Sequence, residues 1–103
     1  MDAKILNAAI KLRIEWGENF GKPIEGRLME QFPELTLEDA NAYAVEANAI
    51  KSFAFEQIEL GYLKQITEDE ETRRIKERFP GLDDDNESGL KTRGMYYAWH
   101  DNG

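Results

Sequence analysis

Glu30-Gln31-Phe32-Pro33-Glu34-Leu35-Thr36-Leu37-Glu38-Asp39 and, 47 positions later, Glu77-Arg78-Phe79-Pro80-Gly81-Leu82-Asp83-Asp84-Asp85-Asn86 repeat one pattern, and that pattern decides the fold. Proline disfavours a helical conformation in the residue before it, so each Phe-Pro step reads as a helix end. Leu35 or Leu82 can fold back over the terminating turn, and Thr36 or Asp83 offers a side-chain oxygen that caps the next helix. The same offset also pairs Leu28 with Ile75, Tyr43 with Leu90, Ala47 with Gly94 and Ile50 with Tyr97. The downstream pairs keep the i, i+4, i+7 spacing of a core-facing stripe. Duplication and convergence on a good corner account equally well for this likeness.

The flanking segments read as helices too. Residues 3–16 place Ile5, Leu6, Ala9, Ile10, Leu12 and Trp16 on one face and Lys4, Asn7, Lys11 and Glu15 on the other. Gly17 is the expected stop, and Pro23 opens a short second helix, about 23–32, with Ile24, Leu28 and Phe32 at i, i+4, i+8. The longest element runs from the Thr36 cap to about Gly61 and has two apolar arcs. The broad arc holds Ala40, Tyr43, Ala47, Ile50, Ala54 and Ile58; the narrower one holds Ala42, Val45, Ala49, Phe53 and Leu60. Such a helix must be covered twice, which puts the broad arc in the middle of the bundle and makes the Phe53 stripe a candidate interface. Thr67 to Glu70 matches a capping box for a fourth helix, about 68–79, and a fifth is expected from about 86 to 99. The expectation is an all-α fold: a small bundle of about five helices built around two Phe-Pro-x-Leu corners, with one long central helix and residues 1–103 as a single domain.

Composition narrows the chemistry. The chain has 103 residues, no cysteine and one histidine, so thiolate metal sites, cysteine nucleophiles and two-histidine metal sites are ruled out. Its net charge of −8 lies in the last two thirds: residues 1–33 balance, whereas residues 34–103 carry the whole excess of acid. That sign opposes phosphate backbones and steers basic partners inward. No apolar run is long enough to span a bilayer and the first residues do not form a signal-peptide core, so no membrane role and a cytoplasmic location are expected.

Several constellations have a plainer reading beside a functional one. Asp83-Asp84-Asp85 begins like a calcium loop, but Ser88 stands where the turn needs Gly and Gly94 where a closing Glu is needed; a carboxylate-rich helix start explains it. Arg73, Arg74, Lys76 and Arg78 follow Asp69, Glu70 and Glu71, so Asp69–Arg73 and Glu70–Arg74 pairing is expected to neutralise the cluster. His100 lacks a second histidine or a cysteine to act with. Met95-Tyr96-Tyr97-Ala98-Trp99 is the densest aromatic segment. Around a helix Tyr97 and Leu90 face nearly opposite to Met95 and Trp99, so one core surface cannot hide them all, unless the tail packs back across the bundle.

The Phe-Pro-x-Leu-Thr corner before a helix resembles that of some small helix-turn-helix antitoxin-type domains, over about a dozen residues from Phe32 to Ala44. The helix that would read DNA opens with Glu38, Asp39 and Glu46 and has no cation before Lys51, which argues against nucleic acid and against assigning that family. The expected role is protein binding: an inhibitor, immunity-like or adaptor module for another, basic protein or for a second copy of itself. Phe53, Leu60, Asp83, Asp84, Asp85, Met95, Tyr96 and Trp99 are the expected contacts, and no catalytic residue, metal or cofactor is assigned. The alternative is a small-ligand or enzymatic pocket at the bundle centre, using Glu46 or Glu56 with Tyr43.

Overall fold

The computed structural model describes residues 1–102, and among them every regular element is a helix: α1 (Ala3–Arg13), α2 (Glu25–Gln31), α3 (Leu37–Tyr62), α4 (Glu68–Arg78) and α5 (Asp84–Asn102). Both corners form with matching geometry. Phe32 has φ −130° and ψ 79°, and Phe79 has φ −143° and ψ 89°, each extended enough to end its helix. The Phe amide closes on the carbonyl of Leu28 or Ile75, and the Leu amide closes back on the Phe carbonyl, all at 2.9–3.1 Å. Thr36 Oγ1 then accepts from the Asp39 amide at 3.1 Å, and Asp83 Oδ1 from the Asn86 amide at 2.8 Å, capping α3 and α5.

The two corners differ in how the cap residue's own N–H is satisfied. Asp39 Oδ2 reaches back to the Thr36 N–H at 3.3 Å, which completes a capping box. Asn86 occupies the position of Asp39 but turns its amide toward α1, and Asn7 Oδ1 accepts from the Asp83 N–H at 2.9 Å instead. Asn7 Nδ2 also donates to the Gly81 carbonyl at 2.9 Å. Gly81 stands where the first corner has Glu34 because α1 closes onto it: a Cβ there would lie 2.9 Å from the Phe79 ring and 3.1 Å from Ala3 Cβ. Phe79 and Leu82 are therefore buried, while Phe32 and Leu35 stay half-buried.

The long helix takes the middle position, with α1, α2, α4 and α5 all packed on it. Its broad arc is core: Ala40, Ala47, Ile50, Ala54 and Ile58 are buried, with Tyr43 half-buried at the edge. The α3–α5 crossing is close because Gly94 meets Ile58, where a Cβ would come within 2.7 Å of Ile58 Cδ1. The second arc is not covered as expected: Ala42, Val45 and Ala49 stay exposed, Phe53 and Leu60 are half-buried, and α4 packs along the flank beside it. Arg78 grips both oxygens of Glu46 at 3.0 and 3.1 Å, and Arg74 Nη1 donates to Gln57 Oε1 at 3.0 Å. Phe53 falls on that same side of α3, seven residues after Glu46 and four before Gln57.

Local details depart from the sequence expectation at five places, the first being α5, which runs from Asp84 to Asn102 rather than from about 86 to 99. Helix α1 stops at Arg13 rather than near Trp16, and Glu15 is held by Arg27 at 2.7 Å, which ties the following segment to α2. Helix α2 starts at Glu25, after the buried Ile24, so Pro23 lies outside it. The box expected at Thr67 is half-formed: Thr67 caps the Glu70 amide at 3.1 Å, but the Glu70 carboxylate turns to Arg73 and Arg74. Arg73 consequently pairs with Glu70 and Glu77, not with Asp69. No helix is long and apolar enough to cross a membrane among the described residues.

Candidate functional site

The end of α5 and the loop between α1 and α2 meet in one aromatic cluster. Tyr96 is its hub, with ring centroids 5.4 Å from Trp16, 5.4 Å from Tyr97, 6.3 Å from Trp99 and 6.0 Å from His100. These separations suit edge and offset aromatic contacts. Yet the cluster is not a core. Trp16, Phe20, Met95, Tyr96 and Trp99 keep between 43% and 58% of their surface in solvent. The loop reaches α5 because Gly17 and Gly21 adopt φ of 103° and 75°, a region open to glycine, which lets the chain turn tightly around Phe20.

Beside the cluster a cleft of about 530 Å³ opens between α1, α3 and α5, with Trp16, Phe20, Phe55 and Tyr97 among its walls. Three cations line it, one from each helix: Arg13, Lys51 and Arg93. The Arg93 guanidinium stacks 5.0 Å from the Trp16 ring centre, and its Nη1 donates to the Gly89 carbonyl at 3.3 Å. Among the described residues none of the three forms an ion pair. The Nε atoms of Arg13 and Arg93 are buried without a hydrogen-bond partner. Burial first, then the neighbouring Arg13 charge, pushes the Lys51 ammonium below its usual titration range. The acids of the cleft, Glu56, Glu59 and Asp101, include two exposed ones, Glu56 and Asp101, whereas all three cations are half-buried. Three half-buried cations thus lie beneath two exposed acids, and the third acid, Glu59, is half-buried like them and accepts from the Asn102 side chain at 3.2 Å.

The residues expected to bind a partner do not form one surface. Tyr96 and Trp99 are exposed on the aromatic face and Met95 on the side toward the α3–α4 connection, so the tail does not fold back over them. Asp83, Asp84 and Asp85 are exposed at the opposite end of α5, and Asp83 is engaged as its cap. Asp84 and Tyr96 stand twelve residues apart on one helix, about 18 Å at 1.5 Å per residue. Phe53 and Leu60 are half-buried on α3. Trp16 and Phe20 join the face without having been expected there: periodicity assigns Trp16 to the buried side of α1, and Phe20 lies between glycines with no pattern to read.

The groups proposed for a central pocket do not converge. Arg78 hydrogen bonds hold the Glu46 carboxyl below the usual carboxylate range, Glu56 is exposed, and Tyr43 Oη accepts from the Asp2 N–H at 2.9 Å. The carboxyl that burial pushes upward, aided by the Glu68 charge, is Glu71, which lies against Gly61 where α4 packs on α3. No protein-family model, curated protein or solved structure matches this chain.

Proposed function

We propose that this chain is a protein-interaction module, in an inhibitor, immunity-like or adaptor role, and that it docks through the aromatic face centred on Tyr96. The observation that carries this reading is the joint exposure of Trp16, Phe20, Tyr96 and Trp99, with Met95 exposed one turn before Trp99 on the side toward the α3–α4 connection. Tyr and Trp combine large apolar area with a polar handle and are enriched where binding energy concentrates. Contiguous exposed apolar surface of this kind marks interaction sites. The excess acid elsewhere, Asp83 to Asp85 included, lies too far from Tyr96 for direct contact and acts at range, drawing in a basic partner.

The test compares the wild type with a Tyr96→Ala/Trp99→Ala double variant whose helical circular dichroism is unchanged. Affinity capture from the native cell and sedimentation are run on both. A protein retained by the wild type and lost by the variant supports the reading, and so does a dimer that the variant dissolves. Identical behaviour of the two chains in both assays removes the aromatic face as the docking surface.

A further inference from the structure

We infer that the cleft beside the aromatic face is a carboxylate pocket, built to receive the C-terminal residue of a partner chain when that residue has an aromatic or large aliphatic side chain. This rests on the docking role proposed above and adds to it the chemistry of the group that enters.

Four features converge on that ligand. The cleft shares Trp16, Phe20 and Tyr97 with the groove of the exposed aromatic face, so a chain lying on the face runs directly into it. Its volume of about 530 Å³ falls in the range of clefts that take a side chain or small ligand rather than a whole helix. Its walls include Phe55 and Tyr97, whose rings lie 5.6 Å apart, an apolar lining for an apolar side chain. Its floor holds Arg13, Lys51 and Arg93 without a carboxylate partner, in a chain where acids outnumber bases 21 to 13. Among the described residues Lys4, Lys11, Lys22 and Lys64 also have no acid partner but are exposed, and Lys91 donates to Thr72; Arg13, Lys51 and Arg93 are half-buried and have no ion pair. Half-buried cations without a counter-ion carry a desolvation cost that an incoming carboxylate offsets, through charge-assisted hydrogen bonds stronger than neutral ones. A partner's terminal carboxylate meets these cations, while its preceding residues cross the rim, where the exposed Glu56 and Asp101 favour basic neighbours.

The test uses the unaltered full chain, with binding followed by isothermal titration calorimetry. Three probes are titrated: the tetrapeptide N-acetyl-Gly-Gly-Leu-Phe with a free carboxylate, the same peptide as its C-terminal amide, and N-acetyl-phenylalanine. The expected result is an acid peptide that binds at least tenfold more tightly than its amide. Arg13→Gln and Lys51→Gln, each checked by circular dichroism, should each weaken the acid peptide about tenfold and leave the amide unchanged. Equal binding of acid and amide, insensitivity to both Gln variants, or no binding of either peptide overturns the inference. Binding of N-acetyl-phenylalanine as tight as the tetrapeptide also overturns it, by showing a small-acid site rather than a chain-end site. None of these results depends on the capture assay, so loss of the cleft assignment and loss of the docking face are separately visible.

Discussion

Replacing Asn7 by Ala cuts the connection between α1 and the second corner, and the structure sets its magnitude. The Asn7 side chain makes four hydrogen bonds: it donates to the carbonyls of Ala3 and Gly81 and accepts from the Asp83 N–H and the Asn86 amide. The Ala3 bond is local to α1, which leaves three that bridge to the corner. A net hydrogen bond is worth about 1 kcal/mol, and water can replace the lost partner at Gly81 and Asp83, which are exposed. Asn86 is only 3% exposed, though it keeps a bond to the Asn7 backbone carbonyl at 2.8 Å. The expected cost is about 2–3 kcal/mol. Urea unfolding should show it as a lower midpoint with an unchanged slope. Because Asn7 and Asn86 share a bond, Asn86→Ala and the double variant should give a coupling energy of about 1 kcal/mol. Asp39→Ala, the matching change at the first corner, should cost about 1 kcal/mol or less and add independently to Asn7→Ala. A cost below about 0.5 kcal/mol for Asn7→Ala, or simple additivity with Asn86→Ala, would refute the bridging role.

The remaining predictions concern the corners and the buried acid. Phe79→Ala should cost about 3–5 kcal/mol, and Phe32→Ala, at the half-buried corner, roughly half as much; equal costs in denaturant melts would show that α1 does not deepen the second corner. Glu71→Gln should stabilise the fold at neutral pH. Its folded pKa is raised, so the proton contributes stability that is complete below the unfolded value of about 4.3 and is lost as pH rises through the folded value. The advantage of the Gln variant should thus be present at pH 7 and absent at pH 4, and a pH-independent difference in urea midpoints would contradict the burial argument.

The corners, the caps and the central helix are readable from sequence because they rest on rules that act within one or two turns. Proline restricts the residue before it, Thr and Asp satisfy nearby amides, and apolar spacing marks a buried arc. Asn7 escapes such reading: its partner at Gly81 is 74 residues away, and on a helical wheel it is merely polar. Trp16 is misplaced for a related reason, since its periodicity has meaning only while the helix lasts, and α1 ends three residues before it. The opposed directions of Tyr97 and Trp99 around α5 follow from helical geometry, which is why the exposed half of the aromatic face is visible in advance. The cleft is not. Residues 13, 51 and 93 are scattered among carboxylates in the chain, so nothing in the sequence shows that three cations without ion pairs come together once three helices meet.

The packing of every other helix on α3 leaves the molecule without a seam. Among the described residues α4 has no close backbone neighbour except α3, and it reaches α5 only through side chains, Lys91 Nζ to Thr72 Oγ1 at 2.7 Å and Lys76 to Glu87 at 3.7 Å. A 26-residue rod at 1.5 Å per residue is about 39 Å long and spans nearly the whole 43 Å of the longest axis. Neither corner unit can therefore stand alone, however alike the two are: severed between Leu63 and Thr67, one fragment would bare the bed on which α4 rests, and the other would hold two struts with nothing to lean on. Melting is then a single event, and the last amides to surrender their protons to exchange belong to the axle that all four neighbours share.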